Sequence, residues 1–469
     1  MQETLNRLHE IVGDAGFVTD ATVTDSMLVD ERGLYKGRAA AIVQPQSTCD
    51  LAEAVRVCFE AGIEMVPQGG NTGYCGGATP DESGTQVLFS LARMNKLCDV
   101  DEHGLTLTAQ AGVVLAAAQQ AAAEFDLLLP LSMGSEGSCQ LGGNVSTNAG
   151  GLSVLRYGTA KELVAGLEVV LPDGQIWSDL KGLRKDNTGY DLKQLFMGAE
   201  GTLGIISTVV LRLNPLPRTR ITGWLAIRDI ADAVAALTLL RACLGDCITS
   251  FEYISRESLE LVLDTIPGTF KPIESSEGHY ALVELAAFDD GVSLESEFEQ
   301  TLEKAIMATN INDAVIAQNE RQRRMFWQLR ESIPAAEKLS GGSVKHDVSV
   351  PIGKLGAYTN EAIAAMERDF PFSRLSIYGH VGDGNVHFNV LVREREHAVQ
   401  LKEYNAEAIS SVIHSMVVEY NGSFSAEHGI GKFKRKILAE TGDSVGLDLM
   451  RRIKTTLDPK GLMNPGKVL

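Results

Sequence analysis

The stretch that most constrains this chain of 469 residues is Ser373–Asn389, which reads SRLSIYGHVGDGNVHFN. Its Asp-Gly pair at 383–384 is typical of a two-residue hairpin loop, because a type I′ turn requires positive φ at both central residues. A turn at that point sets His380 opposite His387, with Cβ atoms about 4.5–5.5 Å apart on one face of the sheet. We therefore predict a histidine pair on one face of a hairpin, with Asn389 following on that face.

The alternation of apolar residues supports this register. The apolar side chains fall on the face away from the histidines, which is then the core side; they are Leu375, Ile377, Val381, Val386, Phe388 and Val390. The histidine face is expected to look into a cleft or into solvent.

A second histidine-bearing segment, SAEHGIG, places Glu427 and His428 between glycines and small residues. Two imidazoles and a carboxylate with an open position are typical of a catalytic rather than a structural metal site. The alternative for His380 and His387 is a structural role at a sheet surface.

Length and composition set the general class of the protein. A chain of this length exceeds one hydrophobic core and fits two domains, and 44% hydrophobic with 22% charged residues describe an ordinary globular protein. The net charge of −19 argues against binding to nucleic acid or acidic membranes. Seven scattered cysteines indicate free thiols in a reducing compartment. Without a targeting pattern or an apolar run of about 18 residues, we expect no transmembrane segment and a cytoplasmic location.

Three glycine-rich stretches follow a strand–helix–strand pattern near the N-terminus. They are PQGGNTGYCGG at 67–77, MGSEGSCQLGGNVSTNAGG at 133–151 and MGAEGTLGIISTVVLRLNP at 197–215. Glycines let backbone N–H groups approach a pyrophosphate closely. None of the three has the GxGxxG or GxxxxGK[ST] pattern, so an NAD site is not expected. Together they favour a long ligand with a diphosphate and rings.

The glycine-rich stretches end near residues 214–220. Beyond that segment the sequence pattern predicts alternating strands and helices without glycine-rich loops. We predict three segments: a cofactor-binding domain at 1–217, a cap domain at 218–415, and a C-terminal segment at 416–469 that completes the site. The cap is expected to be an α+β domain, with helices on one side of a sheet that contains the histidine hairpin.

These motifs, with NTGYDLKQLFMGAEGTLGII and a terminal NPGKV, resemble the flavin-dependent D-2-hydroxyacid dehydrogenases. That family is of the vanillyl-alcohol oxidase and p-cresol methylhydroxylase type, and its 2-hydroxyglutarate, D-lactate and glycolate branches are the nearest. The resemblance covers residue 40 to the end. It implies an α+β fold: a two-part FAD-binding domain of the p-cresol methylhydroxylase type, a substrate cap with an antiparallel sheet flanked by helices, and a C-terminal helical segment that returns to the FAD domain.

The resemblance also implies which residues hold FAD. The pyrophosphate would lie against Pro67, Gly69, Gly70, Asn71, Thr72 and Gly73. The diphosphate and isoalloxazine would be lined by Gly134, Ser135, Ser138, Gly142, Asn144, Thr147 and Asn148. Gly201 and Ile206 would lie near the adenine, and Asn464 would close over the flavin. Relatives that attach FAD covalently use a histidine in the first glycine loop; this loop has none, so FAD is expected to bind non-covalently.

For the reaction, the resemblance implies that His380, His387 and Glu427 bind a divalent metal, with Zn²⁺ expected and Mn²⁺ or Fe²⁺ as alternatives. His428 matches the catalytic base. Substrate contacts carry over to Arg330, Lys345 and Asn389, and a guanidinium binds a carboxylate well. On residues alone, Arg330 is more typical of the solvated face of a basic helix than of a substrate site.

The implied activity is oxidation of a D-2-hydroxy acid to its 2-oxo acid, with D-2-hydroxyglutarate ahead of D-lactate or glycolate. One departure weakens the first choice: the 2-hydroxyglutarate branch has a hydroxyl residue where this chain has Pro334. Expected partners are the substrate, an electron acceptor such as electron-transfer flavoprotein, a cytochrome or a quinone, and a second copy in a homodimer. An oxidase, a non-catalytic flavin-binding subunit and a metallohydrolase are the alternatives.

Overall fold

The computed structural model describes the chain except residues 19–20, 274–277, 290, 310, 395–400 and 402–404. It divides into two compact units. The first unit contains Met1–Gly151, Gly158–Leu216 and Glu427–Leu469, and the second contains Leu152–Tyr157 and Pro217–Ala426. Residue 416, where the sequence predicted the C-terminal segment to begin, lies inside helix Ala406–Glu419 of the second unit.

The first unit contains the predicted strand–helix–strand pattern, from strand Ala41–Val43 to strand Met65–Gln68. Helix Thr48–Ala61 begins where the Ser47 side chain accepts a hydrogen bond from the Asp50 N–H, and it ends at Gly62 with φ 67°. Strands Ala41–Val43 and Met65–Gln68 both pair in parallel with a central strand. The first glycine loop therefore starts at the end of a buried parallel strand.

Two sheets and a short strand pair form the rest of this unit's β-structure. The four-stranded sheet has the order Phe17–Val18, Ala41–Val43, Val87–Ser90 and Met65–Gln68. The five-stranded antiparallel sheet has the order Leu97–Asp101, Thr106–Gln110, Ile205–Arg212, Val164–Val170 and Ile176–Asp179. Leu127–Leu128 pairs with Asn214–Pro215. The unit's α-helices are Gln2–Val12, Ala21–Met27, Thr48–Ala61, Leu115–Ala123, Leu141–Ser146, Ala160–Leu163, Arg435–Thr441 and Ser444–Leu457.

The second unit is built on a seven-stranded antiparallel sheet, as the predicted cap domain requires. Its order is Ile311–Ile316, Thr219–Ile227, His279–Ala287, Ile248–Ile254, Ser373–His380, Asn385–Val392 and Asp347–Ser349. Besides helix Val154–Tyr157, this unit has helices on both faces. One face packs against Ile230–Leu244, Val292–Ala308, Leu355–Asp369 and Ala406–Glu419. The other packs against Arg256–Thr265, Glu320–Glu331 and Ile333–Leu339.

The prediction of helices on one side only was therefore wrong. In strand Thr219–Ile227, Leu225 and Ile227 pack on one face, whereas Trp224 and Ala226 pack on the other. Consecutive apolar residues, rather than strict alternation, are typical of strands buried on both faces.

Strands Ser373–His380 and Asn385–Val392 form the predicted hairpin, but with a different register. His387 lies opposite Tyr378 rather than His380, because a 3₁₀ turn at Val381–Asp383 lengthens the loop. The two-residue turn was thus a wrong prediction. Side chains alternate with a period of two, so a shift of two residues keeps both histidines on the same face, and their ring centroids are 5.6 Å apart.

The apolar face of the hairpin lies in the core, as predicted. The histidine face, in contrast, does not look into open solvent, since His380 is 6% exposed and Asn389 is 2% exposed. All seven cysteines are free thiols, as predicted. Among the helices that the structure describes, none combines the length and hydropathy needed to cross a membrane.

Candidate active site

The first unit contains a cleft beside the end of strand Met65–Gln68. All three glycine-rich stretches line it. Eleven predicted cofactor residues are in its wall: Pro67, Gly69, Gly70, Asn71, Thr72, Gly73, Gly142, Asn144, Thr147, Gly201 and Ile206. His428 lines the same cleft. The structure therefore brings together residues up to 361 positions apart in the chain, from Pro67 to His428.

Close backbone packing explains one of these glycines. Gly201 has φ +70°, and a Cβ there would lie 2.4 Å from Pro67 Cγ. Both the left-handed conformation and the contact exclude a larger residue. The first and third glycine stretches can therefore meet at the cleft.

The lining of the cleft fits an FAD. Among the described residues, no lysine or arginine lines it, and Glu200 is its one carboxylate. A pyrophosphate would thus be held by backbone N–H groups rather than by cations. Gln140 also lines the cleft, and its buried Oε1 has no hydrogen-bond partner within the described part of the chain. A ligand N–H or hydroxyl group can supply that partner.

Five predicted cofactor residues are not part of the wall: Gly134, Ser135, Ser138, Asn148 and Asn464. Asn464 supports the wall from behind, because its Nδ2 donates to the carbonyls of Gly77 at 3.0 Å and Glu200 at 2.8 Å. Asn148 has φ 50° and its Oδ1 accepts from Thr159 and Lys161. These two asparagines shape the loops rather than line the cleft.

The loop after His428 is held by Glu200. The Ile430 N–H donates to Glu200 Oε1 at 2.7 Å, and the Gly431 N–H donates to Oε2 at 2.8 Å. Burial raises the pKa of Glu200, although both N–H bonds oppose the rise. The His428 ring itself lies edge-on to Tyr74, with centroids 4.9 Å apart. A carboxylate from the third glycine stretch therefore fixes the loop that carries the expected base.

Glu427 rests on the second glycine stretch. Its Oε1 accepts the Gly151 N–H at 2.9 Å, and a Cβ on Gly150 would lie 2.2 Å from the same oxygen. The adjacent glycines therefore leave room for this carboxylate.

In the second unit, each hairpin histidine is opposite a buried carboxylate in the flanking strand. Glu252 is the cross-strand partner of His380, and its Oε1 lies 2.6 Å from His380 Nδ1. Asp347 is the partner of His387, with Oδ1 3.7 Å from His387 Nδ1. At His380 the carboxylate is within hydrogen-bond distance of Nδ1 and leaves Nε2 as the ligand atom, which is the usual arrangement around a bound metal. His380 thus fits a metal ion, and the His387 ring lies near it on the same face.

The predicted substrate residues in this unit are also bound to buried carboxylates. Nε and Nη2 of Arg330 both lie 2.8 Å from Glu252 Oε2, and its guanidinium lies 4.6 Å from the centre of the Tyr378 ring. Burial alone would raise the pKa of Glu252, but the His380 ring and the Arg330 guanidinium together lower it to about 2. Arg330 is 5% exposed, so it does not belong to a solvated helix face.

The other two predicted substrate residues, Lys345 and Asn389, both bind the buried carboxylate of Glu337. Its Oε2 accepts from Lys345 Nζ at 2.8 Å, and its Oε1 accepts from Asn389 Nδ2 at 2.9 Å. Pro334 lies in the first turn of the same helix, Ile333–Leu339. Lys345 and Asn389 are therefore brought together by one buried acid.

Sequence reasoning missed Glu252, Glu337 and Asp347. For Glu252 a signal existed, since it is the one charged residue in the otherwise uncharged strand ITSFEYI. A lone acid in a buried strand requires a partner. Which partner it finds depends on strand order, which the local sequence does not give.

Two family descriptions match the chain. "FAD binding domain" matches residues 39–179, and "FAD linked oxidases, C-terminal domain" matches residues 216–468. The chain is 37% identical over 455 residues to mitochondrial D-2-hydroxyglutarate dehydrogenase of Bos taurus, covering 96% of this chain and 81% of that protein. It is 34% identical over 463 residues to a mitochondrial Schizosaccharomyces pombe protein provisionally named D-lactate dehydrogenase, covering 96% and 85%.

A third relative is the D-2-hydroxyglutarate–pyruvate transhydrogenase of Saccharomyces cerevisiae, 34% identical over 447 residues and covering 93% and 87% of the two chains. Among solved structures, p-cresol methylhydroxylase with substrate bound is similar at a TM-score of 0.76 and 17% identity, covering 100% of this chain and 96% of that one. This similarity confirms the expected type of fold.

Proposed function

Because the chain belongs to the family of FAD-linked D-2-hydroxyacid dehydrogenases, we propose that it oxidises D-2-hydroxyglutarate to 2-oxoglutarate with the aid of a divalent metal ion. The observation that carries the proposal is the connected set Arg330–Glu252–His380. It joins an expected carboxylate-binding residue to an expected metal ligand. A protein that only binds flavin has no need for such a set.

Each cofactor has one proposed task. The residues that line the cleft would hold FAD non-covalently, and FAD would supply the hydride-accepting chemistry for oxidation of the substrate at C2. His380, His387 and Glu427 would hold a divalent ion, with Zn²⁺ the first choice, and that ion would supply Lewis-acid chemistry that favours loss of the substrate's hydroxyl proton.

The protein's own residues bind the substrate and move the proton. Nη1 of Arg330 and Nζ of Lys345 bind carboxylate oxygens, and Asn389 orients the substrate. His428 accepts the hydroxyl proton at a ring nitrogen. Glu200 keeps the loop of His428 in place through two backbone N–H groups.

D-lactate is the second candidate substrate. Pro334 offers no hydroxyl for a second substrate carboxylate, and the Schizosaccharomyces relative bears a D-lactate dehydrogenase name. Preference for the D enantiomer applies to both candidates. Glycolate follows as a smaller acid of the same class.

The electron acceptor is proposed to be electron-transfer flavoprotein, a cytochrome or a quinone. The transhydrogenase name of the Saccharomyces relative supports a small 2-oxo acid as another acceptor. We also propose a homodimer and a cytoplasmic location for this chain, whereas the bovine relative is named as a mitochondrial protein.

The test is anaerobic bleaching of the flavin absorbance with D-2-hydroxyglutarate, D-lactate, glycolate and the L-acids, before and after chelator treatment. We expect fast bleaching by D-2-hydroxyglutarate that chelation abolishes and added metal restores. A Glu427→Gln protein should stay yellow yet bleach more slowly by several orders of magnitude. Chelator-insensitive bleaching would remove the metal from the mechanism, and faster bleaching by D-lactate would change the substrate.

A further inference from the structure

We propose that Glu252 is a positioning residue that serves metal binding and substrate binding at once. One carboxylate oxygen fixes the tautomer of His380 that binds a metal through Nε2, and the other oxygen fixes the direction in which Arg330 presents its guanidinium. The inference rests on the proposed function, in which His380 binds the ion and Arg330 binds the substrate carboxylate.

The position of Glu252 follows from the sheet. It lies in strand Ile248–Ile254, directly across from His380, and is 1% exposed. Its two oxygens face different partners, with Oε1 at 2.6 Å from His380 Nδ1 and Oε2 at 2.8 Å from Arg330 Nη2. Each oxygen of this buried carboxylate thus has a partner, an imidazole at Oε1 and a guanidinium at Oε2.

The contact to His380 selects one tautomer. An ionised carboxylate only accepts hydrogen bonds, so the hydrogen must reside on Nδ1 of the ring. In a neutral imidazole the lone pair is then on Nε2, which becomes the metal-binding atom. Without Glu252 the neutral ring could place its hydrogen on either nitrogen.

The contact to Arg330 selects one orientation. Nε and Nη2 share Oε2 of Glu252, while the Tyr378 ring covers the guanidinium at 4.6 Å. Those two contacts fix the plane of the guanidinium and direct Nη1 away from Glu252. A substrate carboxylate can then bind without reorganisation of the arginine.

Asp347 differs from Glu252 in this respect. It is 3.7 Å from His387 Nδ1, beyond hydrogen-bond distance, and accepts from Asn385 Nδ2 at 2.9 Å. The two oxygens of Glu252, in contrast, each contact a proposed site residue, His380 or Arg330. We therefore assign the double role to Glu252.

Glu252→Gln separates the two contacts, because an amide has one accepting and one donating end. If the oxygen faces His380, the amide nitrogen faces the Arg330 donors; if it turns round, it donates to His380 Nδ1 and shifts the ring hydrogen to Nε2. In either orientation one partner is lost. Removal of such a partner of a metal ligand typically lowers metal affinity by about 10- to 100-fold.

The experiment uses the purified flavoprotein with three readouts. Zn²⁺ affinity is measured by competition with a chromophoric chelator, 2-oxoglutarate affinity by perturbation of the flavin spectrum, and the His380 tautomer by ¹⁵N NMR of histidine-labelled metal-free protein. The wild type should show the Nδ1–H tautomer. In Glu252→Gln we expect at least a 10-fold loss of either Zn²⁺ or 2-oxoglutarate affinity, and the tautomer signal should report which end of the amide faces the ring.

Glu284→Gln is the matched control. Glu284 is buried in the same sheet and binds Arg323 at 2.9 Å and Trp327 at 2.7 Å, but touches no proposed site residue. Its variant should keep both affinities and the tautomer even where it unfolds more readily. Equal losses in both variants, or unchanged affinities and tautomer in Glu252→Gln, would overturn the role of Glu252. Wild-type protein that binds neither Zn²⁺ nor a 2-oxo acid would instead refute the proposed function. An Nε2–H tautomer of His380 in the wild type would refute the role of Glu252 on that ring, whether or not the protein binds Zn²⁺ or a 2-oxo acid.

Discussion

Replacement of Glu200 by glutamine should slow flavin reduction without destabilising the fold. The two oxygens of Glu200 accept separate backbone bonds, from Ile430 at 2.7 Å and from Gly431 at 2.8 Å. A glutamine can accept one of them, and its amide nitrogen must then face the other N–H group. The loop that follows His428 loses one of its two fixed points.

The size of the effect follows from the bond that is lost. A hydrogen bond to a charged group contributes about 1.5–3 kcal/mol, and about 1.4 kcal/mol corresponds to a factor of ten in rate. The lost hydrogen bond stabilises the loop position in which His428 can accept the substrate proton. If its whole free energy is lost from that position, flavin reduction by a D-2-hydroxy acid should slow by roughly 10- to 100-fold.

The free energy of unfolding of Glu200→Gln, in contrast to its rate of flavin reduction, should not fall. Burial raises the pKa of Glu200 above its ordinary value of 4.5, so the folded protein holds this proton more tightly than the unfolded chain. Protonation of Glu200 therefore stabilises the fold as the pH falls through the raised pKa. Because glutamine resembles the protonated acid at every pH, the variant should unfold at the same or a higher urea concentration at pH 7.

Anaerobic stopped-flow reduction, urea unfolding and a pH profile test this prediction. Wild-type reduction should slow as the pH falls through the raised pKa, whereas the variant should lack that transition. Glu168→Gln is the control, because Glu168 accepts from the Ser207 and Thr48 hydroxyls and does not line the cleft. Wild-type reduction rates in Glu200→Gln, or an equal loss in the control, would refute the reasoning.

Three further substitutions test other parts of the molecule. His380→Ala should retain a full content of FAD by absorbance yet lose substrate reduction by several orders of magnitude and bind Zn²⁺ weakly; an active variant would exclude the ligand role. Gly201→Ala should weaken FAD retention in gel filtration, since φ +70° costs about 1–2 kcal/mol and its Cβ would meet Pro67 at 2.4 Å, whereas Gly353→Ala, outside the cleft and with no atom within 4 Å of the added Cβ, should retain FAD. Burial, aided by neighbouring cations, lowers the pKa of Lys467 from its ordinary value of 10.5 to about 8. The charge of Lys467 therefore destabilises the fold fully below about pH 8, and this destabilisation decreases as the pH rises from there toward 10.5. Lys467→Met should gain up to about 3 kcal/mol in urea unfolding at pH 7 and less at pH 10; an equal gain at both values would exclude the charge as the cause.

Local patterns predicted the helix Thr48–Ala61 and the strands on either side of it. Ser47 and Gly62 bound the helix Thr48–Ala61 as expected from capping preferences. The hairpin was found from its Asp-Gly pair, yet its register was wrong, because a 3₁₀ turn replaced the two-residue loop. Turn geometry depends on how the flanking strands pair with their other neighbours, and the local sequence does not contain that information.

The same division applies to the site. Glycine, histidine and turn residues act through their own backbone and side-chain chemistry, so local patterns were enough to predict one ligand site for three glycine stretches and a shared face for His380 and His387. The contacts of Glu252 with His380 and Arg330, and the support that Asn464 gives the cleft from behind, depend instead on the tertiary structure. These contacts join residues far apart in the chain. Strand order and close packing set them, and both arise from burial of the whole sheet rather than from any local pattern.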